Sequence, residues 1–316
     1  MLRATRRLEK LGAGPRNIMP PAHHAAMQSW WPPSVLLLIL GLASIHYARG
    51  CRTLRAVSAT NISTWRACSF FLGVFLIWVA VGSPLATYDH ELLTVHMVQH
   101  LLLMTFAPAL VLLGAPTMVL WKGLPRFART GLSIQFRKPP LQRVGRVLSH
   151  PAFCWIVCSA TLLGWHIPSV FALGLQSDLW HVVGQASFLS AGFLFWWPVL
   201  QPWPSVSVWP RWTIVLYLFL ATLPCDILSG FLAFSERIVY PIYLLAPRHF
   251  GMTVLDDQEC AAALMWTCIT IVYLVPSAIL TTRLLGPQNS YAGEMSGVDL
   301  SCVEFAASDP QRVEVV

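Results

Sequence analysis

Seven predominantly apolar stretches, at about 34–48, 67–83, 93–119, 152–168, 180–200, 212–233 and 259–282, limit what this chain can become. Hydrocarbon offers a backbone no hydrogen-bond partners. Runs of this length therefore cross a bilayer as helices, each satisfying its own amides. The expected fold is all-α, a polytopic transmembrane helix bundle of about seven helices in contact with the lipid bilayer. Composition agrees: of 316 residues, 56% are hydrophobic and 11% charged, against about 25% charged in soluble domains. The 14 Trp suit the membrane–water interfaces, where indole rings settle.

The loops orient the bundle. Loop 49–66 carries Arg49, Arg52, Arg55 and Arg66, and loop 120–151 carries Lys122, Arg126, Arg129, Arg137, Lys138, Arg143 and Arg146; neither holds an acid. The alternate loops hold Asp89, Glu91, Asp178, Glu236, Asp256 and Asp257 instead. The net charge of +7 is therefore a topology signal, and no nucleic-acid partner is expected. The positive-inside rule places the Arg-rich loops in the cytoplasm, the N-terminus outside and the C-terminus inside. Five bases among the first 16 residues oppose this. A true start at Met19 or Met27, a failed first helix, or an override by the later loops would each reconcile them, and the first is favoured. The chain divides into a basic, structureless segment 1–33, a membrane domain 34–283 and a polar tail 284–316 expected to be disordered.

The chemistry gathers at one face. His96 and His100 stand four apart on the third helix, one turn above the other, and Met104 continues their stripe. His90 precedes them, His166 closes the fourth helix, His181 opens the fifth and His249 lies in the last outer loop. Asp226 falls inside the sixth helix, where a carboxylate needs a partner, and Asp257 and Gln258 begin the seventh. For His90, His166, His181 and His249 taken singly, an anchoring or loop role is the plainer reading. The paired His96 and His100 are a ready chelating edge. Imidazoles with a nearby thioether suit copper, while two histidines from different helices suit haem. Spacing does not choose between these. The eight Cys form no C-x-x-C pair, and no H-E-x-x-H, phosphate loop, nucleotide fingerprint or hydrolase elbow appears. Neither a disulfide scaffold nor an enzyme of those classes is expected.

In order along the chain, HMVQHLLLMTFAPALVLLGAP, WHIP, LWHVVGQASFLSAGFLFWWPVLQPWP, LPCDILSGFL and DDQECAAALMW resemble the CtaG-like family of cytochrome c oxidase assembly factors. These are bacterial inner-membrane proteins of about seven helices, and the likeness covers roughly residues 60–285. It implies a non-catalytic part in maturing a haem–copper oxidase, with oxidase subunits as partners. Copper would be the metal supplied, with a periplasmic copper donor as a further partner. The family's H-x-x-x-H matches His96 and His100, its W-H matches His166, and its next helix opens on His181. Its D-x-x-x-G matches Asp226 to Gly230, and its D-Q matches Asp257 and Gln258. The metal ligands expected are His96, His100, His166 and His181, with Asp226, Asp257, Gln258 and Met104 lining the same cavity. A haem-binding electron carrier and a copper transporter are the alternatives.

Overall fold

The span from Leu93 to Leu113 is the axis of the bundle: 67% of its apolar window is buried by the rest of the chain, against 44% for the next most buried span. The computed structural model describes residues 32–57, 63–136, 138–200, 209–247 and 251–285, and among these every regular element is helical. Helices α1 (Pro32–Val57) and α2 (Thr64–Gly82) lead to α3 (Leu93–Leu101), a π turn (Leu102–Phe106) and α4 (Ala107–Leu113), which together make the axial span. The short helices α5 (Pro116–Gly123), α6 (Arg126–Phe136) and α7 (Pro139–Leu148) follow. Then come α8 (Pro151–Trp165), α9 (Pro168–Gln176), α10 (Asp178–Leu200), α11 (Arg211–Ala233) and α12 (Val254–Leu285). The upper part of the axis, α3, packs on α12, and the lower part, α4, on α2 and α10. Helix α8 sits between α10 and α11, and α11 runs along α12.

Among the described residues six helices are long and apolar enough to cross a membrane, and a seventh span results if α7 and α8, bent by 63° at their junction, count as one. The multi-pass bundle expected from the sequence is thus present, with corrections. The first helix is 26 residues rather than a short one. The fourth segment has only 15 helical residues. At about 1.5 Å per residue these fall short of a core about 30 Å thick. The region 120–151, expected as a loop, contains α6 and α7. In α7, Leu141, Val144, Val147 and Leu148 are exposed along one side, while the helical period turns Arg143 and Arg146 to the other. The terminal segments 1–31 and 286–316, including the bases of the first 16 residues, and His249 lie outside the described residues.

The third segment is not one helix to residue 119. Pro108 has no N–H to offer the Met104 carbonyl four residues back, and its ring crowds that oxygen. The chain responds with one wide turn, in which the Ala107 N–H donates to Leu102 O. Helix α10 exploits the opening. A Cβ on Gly192 would lie 2.4 Å from Met104 O and 2.7 Å from the Pro108 ring, so only glycine permits this approach. Helix α4 then stops at Gly114 and Ala115, the latter at φ 50°. The fully buried Tyr47 holds this end, donating from its hydroxyl to Gly114 O at 2.8 Å and stacking on Phe70 at 3.7 Å. Gly192→Ala should destabilise the protein by about 1–3 kcal/mol, the usual cost of forcing atoms into a packed core. Thermal unfolding in detergent measures this, and an unchanged midpoint would show that the contact is not tight.

Candidate metal centre

Asp257 sets the height and register of the histidine helix. No side chain of α3's own N-terminal segment caps it. Instead the Asp257 carboxylate, at the start of α12, accepts from Leu93 N at 2.7 Å (Oδ2) and from Thr94 N at 3.0 Å (Oδ1). The Thr94 hydroxyl reaches the same carboxylate at 2.6 Å. A negative charge here also meets the positive end of the helix. Gln258 faces elsewhere: its amide oxygen accepts from Val239 N at 2.9 Å and its NH₂ donates to Leu232 O at 3.1 Å, pinning the end of α11.

From this base five imidazoles form a file. The ring centroids of His90 and His181 are 5.3 Å apart, those of His181 and His96 6.3 Å, His96 and His100 4.3 Å, and His100 and His166 5.7 Å. The four histidines picked out by sequence therefore do come together, from α3, the end of α8 and the start of α10. Phe171 packs on His96 at 4.9 Å and Phe188 on His100 at 3.9 Å. The loop between α11 and α12 closes over them. Tyr240 donates its hydroxyl to His166 O at 3.0 Å, and Tyr243 donates to Asp89 O at 2.9 Å.

One end of the file is a mixed carboxylate–imidazole cluster. One ligand atom each from Asp89, His90 and His181 lies within 4.8 Å of the other two. His181 Nε2 is 3.1 Å from Asp89 Oδ2, and His90 Nε2 is 3.4 Å from Oδ1. Asp89 is only 1% exposed, yet neither of its carboxylate oxygens has an aligned hydrogen-bond donor. A buried carboxylate left in this state is expensive unless a cation completes it. Gln185, one turn along α10, is 2.7 Å from His181 Nε2 and orients that ring.

At the other end, His166 Nδ1 lies 2.6 Å from Leu162 O. A carbonyl only accepts, so Nδ1 carries the proton and the Nε2 lone pair is left free. That nitrogen is 3.3 Å from Met97 Sδ. Met97, Met104, His100 and His166 line one small cavity of about 40 Å³. Asp226 stands apart: one of its buried oxygens has no partner, and among the described residues no hydrogen bond or ion pair links it to the imidazoles. His46 bonds Leu42 O at 2.8 Å and His150 caps α8 through Ala152 N at 3.2 Å, so both have structural work elsewhere.

Sequence reasoning passed over Asp89 and His90 as loop residues. The available signal was an adjacent carboxylate–imidazole pair one helical turn or two before His96, but only the folded loop brings it to His181.

Such an architecture, a multi-pass helix bundle with a carboxylate–imidazole file at one end of its axis, defines a membrane protein with a candidate metal centre. Residues 45–286 match the family model described as cytochrome c oxidase caa3 assembly factor (Caa3_CtaG), and the chain belongs to that family. It is also 22% identical over 275 residues to Uncharacterized protein Mb0105 of Mycobacterium bovis and to Uncharacterized protein MT0111 of Mycobacterium tuberculosis. Each match covers 84% of this chain and 40% of the relative, so the chain spans well under half the length of these proteins. No solved structure matches.

Two expectations follow from the geometry. Asp257→Ala should lower stability by about 0.5–2 kcal/mol, the range for a lost cap, and loosen the imidazole file. Thermal unfolding together with metal titration reads both, and an undisturbed metal affinity would show that α3 is positioned by other contacts. The second concerns pH. Burial pushes the His90 imidazole below its ordinary value despite the opposing pull of Asp89. Burial would raise the Asp89 carboxyl, but its contact with His181 and the charges of His90 and His181 outweigh that and hold it below the usual range. Both groups thus keep their metal-binding, deprotonated forms further into acid than free side chains would. Divalent-metal affinity should hold as pH falls through about 6.5, the ordinary imidazole value, and drop only below it as protons take the same lone pairs. Competition titrations between pH 7.5 and 5 test this; a loss already complete at pH 6.5 would contradict it.

Proposed function

We propose that this oxidase assembly factor binds copper at its histidine file and delivers it to a cytochrome c oxidase subunit, without catalysing a reaction. The observation that carries this reading is the buried Asp89 carboxylate without an aligned donor, held against His90 and His181. Nitrogen and oxygen donors of this kind bind several divalent metals, and copper binds most strongly in the first-row series. A haem–copper oxidase needs that metal. The tight packing of Phe171 and Phe188 on the imidazoles favours a bare ion over a porphyrin plane. The donor-rich residues cluster toward one end of the axis rather than along its length, which favours loading and release at one surface over transport across the bilayer. The Arg-rich loops argue that this surface faces away from the cytoplasm. In a bacterial inner membrane it would meet a periplasmic copper donor and the oxidase.

His96→Ala, His100→Ala and His181→Ala should each insert normally yet lower copper-loaded oxidase under copper limitation. Loss of one metal ligand should cost at least the roughly 10–100-fold in affinity seen for residues that merely orient ligands. Added copper should partly restore oxidase activity by mass action. The measurement is oxidase activity and copper content in membranes at limiting and ample copper. Activity equal to wild type in all three variants at limiting copper would overturn delivery.

A further inference from the structure

We propose that the cavity beneath the carboxylate cluster is a second metal site, built from nitrogen and sulfur, that selects a soft monovalent cation, Cu(I). This deepens the delivery reading and rests on it for biological purpose, though not for its chemistry.

Four residues make the argument: His166, Met97, His100 and Met104. His166 is 4% exposed and has its Nδ1 engaged by Leu162 O, so its Nε2 lone pair is committed to the inner side. There it meets not a donor but a thioether, Met97 Sδ, at 3.3 Å. A thioether is at best a weak hydrogen-bond partner for an imidazole. As a ligand pair the same edge makes sense. Taking as stand-ins the bonds of imidazole nitrogen and cysteine thiolate to zinc, about 2.0 Å and about 2.3 Å, a 3.3 Å edge closes at roughly 100°, near the tetrahedral angle. His100 presents its ring to His166, with the two planes 80° apart, and its buried Nδ1 has no hydrogen-bond partner. Met104 lines the same cavity from the π turn. The wide turn that Pro108 imposes belongs to this site: π turns gather at functional positions because they re-aim side chains.

The two ends of the file differ in kind. Asp89, His90 and His181 offer a carboxylate and imidazoles, suited to a divalent ion. His100, His166, Met97 and Met104 offer imidazole and thioether without a carboxylate. Thioether ligands shift preference to Cu(I), and a neutral donor set in an apolar cavity favours a single positive charge over a double one. His96, 4.3 Å from His100 and 6.3 Å from His181, stands between them.

The test uses the full chain purified in detergent. Cu(I), kept reduced anaerobically with ascorbate, is titrated against a chromophoric Cu(I) chelator, and Ag(I) serves as a redox-inert probe. Zn(II) reports on the carboxylate end. Met→Leu changes conserve volume and should fold normally, which thermal unfolding checks. The double variant Met97→Leu with Met104→Leu should lose at least about tenfold in Cu(I) and Ag(I) affinity, by analogy with the loss of metal-supporting residues, while Zn(II) binding stays as in wild type. His166→Gln should do the same. Asp89→Asn with His181→Gln should show the reverse pattern. X-ray absorption of the Cu(I) form should show sulfur neighbours that the double Met variant lacks. Unchanged Cu(I) and Ag(I) affinity in a folded double Met variant would overturn the site, as would a Cu(I) spectrum without sulfur. Sulfur-dependent Ag(I) binding combined with normal oxidase maturation in the ligand variants would sustain the site and overturn the delivery reading instead.

Discussion

The Asp257 carboxylate seated on the first amides of α3 governs more of this molecule than any other contact. It joins the last helix to the axial span across 164 residues of sequence. In a hydrocarbon setting the open amides of a helix end need a partner, and here the partner is ionic and supplied from α12. Once that end is fixed, the helical period decides where His96 and His100 point, and the bundle closes around them. Gln258, the next residue, ties the end of α11 in the same way. The dipeptide at 257–258 thus aligns three helices at one level of the membrane domain.

His166 and Asp89 are fixed by backbone contacts, whereas the His181 ring is oriented by Gln185 and by the Asp89 carboxylate. His166 is held through its own carbonyl by Tyr240 and through Nδ1 by Leu162 O, and Asp89 through its carbonyl by Tyr243. The Nε2 edge of His166 and the Asp89 carboxylate oxygens stay outside those backbone contacts. This separation of scaffold from ligand explains why single ligand changes are expected to spare insertion.

Much of this was legible in the sequence, and the exceptions have physical reasons. The pairing of His96 with His100 follows from helical period alone, and the seven apolar runs from hydropathy. The convergence of His166 and His181 on that pair could be expected once alternate loops were assigned to one side. Asp89 and His90 could not be read this way, because no period governs the turn they occupy. A proline at 108 disturbs a helix, but that the disturbance is one π turn, with Gly192 of α10 packed closely on Met104 O, shows only in the fold. In the 120–151 region the density of arginine masked the apolar stripe of α7, since average polarity and period carry different information. Met97 was legible only as a thioether near the His96–His100 edge; its contact with His166, from another helix, is what the fold adds.

The shortness of α8 has a mechanical consequence. With 15 residues it spans about 22 Å, several ångströms less than the apolar thickness its neighbours fill. A bilayer meeting such a mismatch thins locally, at a cost of a fraction of a kcal/mol per ångström. Helix α7, turned 63° away with its apolar side exposed, can wedge among the headgroups on that flank and hold the dimple open. If α8 crosses by itself, the lipid on that flank must thin where the longer spans require no thinning, which makes the perimeter of the bundle uneven in the plane of the membrane.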